Sequence, residues 1–439
     1  MAESSRQRSR ATAWSARVFA VCFAGTLLVV PGAGGATSAA TTQPLWNLAD
    51  PGLPRGDPPG RYGQAAAFDP QLGGVVMVGG TSGTAQNYCF GPYPYGCYVE
   101  DGVKLVQCTV IGNPGGYSCV AYFPDPFDCP SILGPTNGSG DAAAITWLWR
   151  NDRWTQLGAG TLPPLDEAAA VYDPLHGQVV LLGLSHGLLQ TWTSSGATWV
   201  QRHPAVTPPP RYGFAHAMAF DGSSQTVLLF GGRTGVGSGA SGLLGDTWSW
   251  DGTTWAHLSP ASSPSPREGA AMAYDPKLGR IVLVGGVVGA TGATTFGPND
   301  SSQCVDSAET WTWDGTTWSR SSATGPPARA DGALAYDADL HALVLFGGMT
   351  TCGDDGPDGQ HDCSSLSDTW VFDGAWRSPW TGAAAAVEPL LGGATEPAGR
   401  WSTALVTDPL VHGLLLFGGQ GSVYSTLGDT WKLSSITAP

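Results

Sequence analysis

The sequence predicts an all-β fold built from repeated four-stranded sheets, and three observations predict it. First, the composition: of 439 residues only 13% are charged, while Gly (63), Pro (34) and Trp (18) are abundant. Frequent Gly and Pro turns between aromatic and β-branched runs belong to strands rather than helices. Second, Asp69, Asp173, Asp221, Asp275, Asp337 and Asp408 each end a small-residue stretch, and each lies ten residues before Gly79, Gly183, Gly231, Gly285, Gly347 and Gly418. Third, every one of these apolar runs is followed by a Thr-Trp pair, at Trp147, Trp192, Trp248, Trp311, Trp370 and Trp431. Self-similarity at this period marks a repeat architecture.

The chain begins with a basic stretch (Arg6, Arg8, Arg10, Arg17), the apolar core Val18–Val30 and small residues up to Ala40. This is the pattern of a secretory signal over residues 1–40, with a core too short to span a bilayer well. Cys22 falls inside it. No second apolar stretch approaches 18 residues, so no membrane span is expected after cleavage. Loss of the segment leaves 16 basic and 34 acidic side chains, a net charge near −18. Such a surface repels phosphate backbones, which argues against nucleic acid as a partner. The expected product is an exported monomer.

Within each unit the spacing defines four strands. Strand one runs to the Asp, as in GALAYD, and strand two is the apolar run, as in LVLFGG. Strand three is TWSWD or its equivalent. Strand four starts at a second Trp: Trp154, Trp199, Trp255, Trp318 and Trp376. Asp-Pro and Asp-Gly supply the turn after strand one, and Asp-Gly-Thr-Thr the hairpin after strand three. A four-stranded sheet cannot bury both faces alone; repeated about an axis, face to face, it can. The sixth unit has no fourth strand after Lys432-Leu433. Leu45-Trp46-Asn47-Leu48 matches the missing strand, so the amino-terminal strand is expected to complete the last blade.

The hydrophobic run, Gly-Gly and spaced Trp resemble the kelch repeat over residues 44–435, with a degenerate second unit at 161–199. The resemblance implies a six-bladed β-propeller of four-stranded blades. It implies no single activity, because one fold hosts many functions.

Length variation is confined to one kind of connection. The interval from the strand-two Gly to the strand-three Trp is 68 residues in the first unit, 9 in the second, and 17, 26, 23 and 13 in the rest. Strands alternate in direction, so these connections and those between units leave from one end. Loops on a rigid scaffold are the usual place for function. Residues 81–143 form a Cys-rich insertion in the first blade. With Cys22 set aside, Cys89, Cys97, Cys108, Cys119, Cys129, Cys304, Cys352 and Cys363 all fall in these connections. In an exported chain an even set reads as disulfides. Cys352–Cys363 closes one loop. A hairpin of Lys104–Ile111 with Tyr117–Phe123 brings Cys108 near Cys119. Cys304 requires a partner elsewhere, Cys129 being one candidate, and eight cysteines allow 105 pairings.

Five Arg residues open the repeats, Arg61, Arg211, Arg267, Arg329 and Arg400, with Leu165 in the second. They read either as a basic ring for an acidic or hydroxyl-rich ligand or as part of the repeat's own structure. Tyr93, Tyr95 and Trp380 in the loops suit contact with carbohydrate or protein. Asp354, Asp355 and Asp358 offer a weak Ca²⁺ site, although the spacing departs from an EF-hand. Scattered His residues and the absence of a His-His or Tyr-His pair argue against a copper radical centre like that of kelch-like oxidases, and no cofactor is expected. The function expected is binding of an extracellular glycan or protein through the long-loop face. The competing class is an extracellular oxidase or hydrolase with its site at the axis of the same face.

Overall fold

The computed structural model describes residues 42–50, 57–82, 97–98, 105–110, 117–120, 145–159, 162–165, 167–235, 242–289, 304–350, 364–378, 396–410, 412–421 and 426–437. These residues form an all-β, β-propeller-like arrangement of four-stranded antiparallel sheets. The first sheet holds Arg61–Asp69, Gly74–Ser82, Ile145–Trp149 and Trp154–Ala159. The second holds Glu167–Asp173, Gln178–Ser185, Leu188–Ser195 and Thr198–Arg202. Met218–Asp221, Thr226–Arg233, Leu243–Trp250 and Trp255–Leu258 make the third. The fourth is Ala271–Asp275, Arg280–Val284, Thr310–Trp313 and Trp318–Arg320. The fifth is Ala333–Asp337, Ala342–Phe346, Thr369–Phe372 and Trp376–Arg377. The sixth joins Ala404–Asp408, Gly413–Phe417 and Thr430–Thr437 to the amino-terminal strand Thr42–Asp50. That strand pairs antiparallel with Thr430–Thr437, with Asn47 opposite Lys432.

Each repeated residue has a local job. The Asp that ends strand one caps its turn: Asp337 Oδ1 accepts the backbone N–H groups of Asp339 and Leu340, both at 2.9 Å. The hairpin after strand three is held the same way, with Asp251 Oδ1 accepting from the Thr253 and Thr254 N–H groups at 2.8 Å. Gly347 has φ +65°, and a Cβ there would lie 2.4 Å from the Arg400 carbonyl oxygen of the next sheet. Only glycine combines that backbone conformation with that approach.

The apolar strand-two runs are buried on both faces, as expected for sheets stacked face to face. The core is accordingly divided into clusters, each shared by two neighbouring sheets. Val180 and Leu182 pack with Val227 and Leu229, Leu228 with Ile281 and Leu283, and Val282 with Leu343 and Leu345. Val344 packs with Leu414, Leu416 and Trp46, and Leu415 with Val75 and Met77 of the first sheet. Val76 and Val78 then meet Leu181 of the second.

The fourth-strand Trp makes a second link between the same neighbours. Its indole N–H donates to the Thr of the Thr-Trp pair one sheet back: Trp376 to Thr310 (2.8 Å), Trp318 to Thr247 (3.1 Å) and Trp255 to Thr191 (2.9 Å). Trp199 donates to Thr146 (3.1 Å) and Trp154 to Thr430 (2.9 Å). Trp46 of the amino-terminal strand donates to Thr369 (3.1 Å). Thr and Trp of one repeat are thus spent on two different junctions.

In the first insertion, Leu105–Val110 pairs with Tyr117–Val120 and places Cys108 opposite Cys119. This is the register expected from the sequence. Cys97 and Cys304 also lie on short strands. Residues 1–40, Cys89, Cys129, Cys352, Cys363, Tyr93, Tyr95, Trp380, Asp354, Asp355 and Asp358 lie outside the described residues.

Candidate functional site

The five repeat-opening Arg residues stand at the end of the sheets from which the variable connections leave. Reading them as a ligand-facing ring needs correction. Arg61, Arg211, Arg267 and Arg400 are 0% exposed and Arg329 is 2% exposed. Each guanidinium instead ties its own repeat together. Arg400 Nη1 donates to the Gly418 carbonyl at 3.0 Å, and its two Nη atoms reach Asp429 at 2.6 and 2.9 Å. Arg211 grips Asp246 and Arg329 grips Asp368 in the same two-pronged way. Arg267 meets Glu309 at 2.7 Å. The acid in every case stands two residues before the strand-three Trp and also accepts that indole N–H, as Asp429 does from Trp431 at 2.6 Å. Burial would push Asp246, Asp368 and Asp429 up; the guanidinium hydrogen bonds and charge outweigh it and hold them below the usual carboxylate range.

Two repeats break this pattern. The second has Leu165 for Arg and Gln190 for the acid, so both partners are missing together. The first keeps Arg61 but has Ile145 in place of the acid. Arg61 still reaches the Gly79 carbonyl at 2.8 Å, yet its Nη2 is buried with no hydrogen-bond partner. Burial lowers its pKa to about 10.

Beside these pairs, where the first strands of neighbouring sheets lie against one another, runs a chain of hydrogen bonds. It links the residue two after each Arg: Gly63 N to Ser402 O (2.9 Å), Ser402 N to Asp331 O (3.1 Å), Asp331 N to Gly269 O (2.8 Å) and Gly269 N to Gly213 O (2.8 Å). In the second repeat the position is Glu167, whose side chain continues the chain. Its carboxylate accepts from the N–H groups of Gly213, Phe214 and Ala215 at 2.8, 2.6 and 2.9 Å. Asp331 and Ser402 hold φ +52° and +49°. These are left-handed conformations that glycine adopts freely and other residues adopt at a cost.

The substitutions at this inner end bring buried acids together. Glu167, Glu268 and Asp331 are 3%, 1% and 2% exposed. Glu268 lies against Gly213 and pairs with Arg233 of the third repeat, Nη2 to Oε1 2.7 Å. Burial raises Glu167 to about 7 against the pull of its three N–H donors. Burial, with Glu167 adding repulsion against the pull of Arg233, raises Glu268 to about 7. Asp331 is pushed well above the carboxylate range by burial and by Glu268, Glu167 and Asp306; Ser402 opposes the shift. Burial lowers nearby His216 of the third repeat to about 4, which keeps it neutral. Among the described residues no three His, Cys, Asp or Glu side chains are placed to hold a metal ion. Through Glu167 and the Arg233–Glu268 pair these side chains tie the second, third and fourth repeats together. Glu167 and Asp331 both stand two residues after the repeat-opening position, where three of the other four repeats have Gly.

The sign of the pH effect follows. Glu167 and Glu268 have folded pKa values above their unfolded ones, so their contribution is complete below about pH 4.5 and is lost as pH rises through about 7. The depressed acids Asp246, Asp368 and Asp429 act the opposite way and are lost in strong acid. Thermal unfolding is expected to peak in mildly acidic buffer and to fall by several degrees between about pH 5.5 and about pH 8.5. Glu268→Gln together with Asp331→Asn is expected to flatten that alkaline slope. A wild-type melting temperature that rises over the same interval contradicts the assignment.

No protein-family profile matches the chain, and no curated protein matches it. Among solved structures the chain is similar to that of YjhT, with a TM-score of 0.51 and 13% sequence identity over 87% of this chain and 99% of that one. At that identity the likeness concerns the fold alone.

Proposed function

We propose that the six sheets are the blades of one closed, kelch-like propeller, and that the chain is an exported protein binding a glycan through the face from which its long connections leave. Closure is supported by the Trp–Thr hydrogen bonds and the shared core clusters, which lead from each sheet to the next and from the first back to the sixth. The function rests on one observation: the variable connections leave beside the buried Arg–acid pairs, while the opposite end carries only tight turns. A rigid frame with variable loops at one end is how scaffolds present a binding surface. The basic residues of residues 1–17 and the apolar core after them support export.

An enzyme at the inner end of the same face is the second reading, favoured by Glu167, Glu268 and Asp331 with their raised pKa values. Their burial, and the engagement of Glu167 by three backbone donors, weigh toward structure and so toward the binding reading. The test is a glycan array with the mature chain, followed by hydrogen–deuterium exchange with the retained glycan. Protection is expected in peptides flanking Ser82, Ile145, Met349 and Arg400. Protection confined to the tight-turn end, or retention of a protein partner and no glycan, overturns the proposal.

A further inference from the structure

The chain of hydrogen bonds at the inner end of the sheets changes character at one place. From the first sheet through the sixth, fifth and fourth to the third, each link joins a backbone N–H to a backbone carbonyl. Such a link does not titrate. Between the third and second sheets the link is a side chain, the Glu167 carboxylate, which takes the N–H groups of Gly213, Phe214 and Ala215. The third repeat has two extra residues here: Arg211 stands ten residues before Asp221, where the other repeats have eight. Its first strand begins only at Met218. The added backbone is buried, Phe214 being 0% exposed, and buried N–H groups require acceptors. Glu167 supplies them. The second repeat has no Arg–acid tie at this end, since Leu165 and Gln190 stand at those positions.

The charged and titratable groups around this link are mostly acids. Glu268 lies over Gly213 and is paired with Arg233. Asp331 adjoins Glu268 and Glu167, with Asp306 beyond it. His216, on the extra backbone of the third repeat, is neutral, and Arg211 is taken up by Asp246. On the side of the first sheet the adjoining strand opens with Arg61, whose guanidinium turns back to the Gly79 carbonyl. Ionised together, Glu167, Glu268 and Asp331 outnumber the Arg233 guanidinium paired among them, in a place closed to water.

We propose that the second–third junction is a pH-operated latch: as these acids ionise, Glu167 leaves the three N–H groups, and the inner end of the second repeat parts from the third while the other junctions stay closed. The direction follows from burial. Three donors favour the Glu167 carboxylate, but burial outweighs them and raises the group to about 7. Once the latch is open, Glu167 meets water and returns to its ordinary value of 4.5. The open form therefore holds its proton less tightly and gains on the closed form as pH rises. For Glu167 alone the ratio of closed to open falls about thirtyfold between about pH 5.5 and about pH 8.5. The apolar cluster of Val180, Leu182, Val227 and Leu229 holds the two sheets together away from the inner end, so the opening is local rather than global.

Hydrogen–deuterium exchange of the folded protein tests it, with each rate divided by the intrinsic amide rate at that pH. Protection of the peptide holding Gly213, Phe214 and Ala215 is expected to fall at least about tenfold between about pH 5.5 and about pH 8.5. Peptides holding Gly63 and Gly348, whose N–H groups bond the Ser402 and Arg400 carbonyls of the neighbouring sheet, are expected to keep theirs. Glu167→Gln retains an acceptor but removes the titration, and is expected to abolish most of the fall. No fall at Gly213–Ala215 overturns the proposal, as does an equal fall at Gly63 and Gly348 or an undiminished fall in Glu167→Gln. The comparison of wild-type peptides decides the matter by itself where the variant does not fold.

Discussion

Trp46→Ala is expected to destabilise the protein by about 3–5 kcal/mol, the range for truncating a fully buried large aromatic. Trp46 is 3% exposed, and its ring meets Phe346 edge-on at 5.0 Å. Its indole N–H bonds Thr369, 323 residues away in sequence. The substitution therefore removes a large side chain and an inter-sheet hydrogen bond at once, and leaves Thr369 unpaired. Trp46→Phe keeps most of the apolar contact and is expected to cost about 1 kcal/mol, the usual net worth of one hydrogen bond. Urea unfolding monitored by far-UV circular dichroism checks both. Were Trp46→Ala indistinguishable from wild type, the amino-terminal strand would not belong to the sixth sheet.

The second large effect concerns the Arg–acid pairs. Asp429→Ala is expected to cost about 3–5 kcal/mol, because it strands the fully buried Arg400 guanidinium without its counter-ion. The first sheet supplies the control. Among the described residues Arg61 has no acid partner, since Ile145 stands at that position, and its Nη2 has no hydrogen bond. Arg61→Met keeps the length of the side chain and removes an unpaired buried charge. It is expected to be neutral or stabilising, whereas Arg400→Met leaves Asp429 behind and is expected to destabilise. The same unfolding curves decide it: equal losses for Arg61→Met and Arg400→Met would show that packing of the long side chain, and not charge pairing, is what the position requires.

Much of the frame was legible in the sequence because each repeated residue meets a local demand. The Asp ten residues before the Gly caps a turn with its own side chain. Gly347 is set by a positive φ and by the approach of a neighbouring carbonyl, conditions that recur wherever the motif recurs. The place of Leu45–Leu48 followed from counting strands, since the last repeat lacked one. The role of the Arg residues was not legible in the same way. A charged residue at a fixed spacing reads equally as a surface ring or as an internal tie, and only the depth of burial decides between them. The partner acids sit 29 to 42 residues from their Arg, across connections of unequal length, which hides the pairing from spacing alone. Glu167 and Asp331 were missed because they occupy glycine positions.

The sixth sheet depends on the amino-terminal strand for its fourth member. Asn47 and Lys432 are directly opposite in that pairing, and cysteines at facing positions of an antiparallel pair lie near disulfide range. With Asn47→Cys and Lys432→Cys introduced together, mild oxidation of the folded protein should link the peptides containing residues 47 and 432, as read by mass spectrometry of a non-reduced digest. Absence of that link in protein that melts like the wild type, with both new thiols free, would contradict this strand pairing.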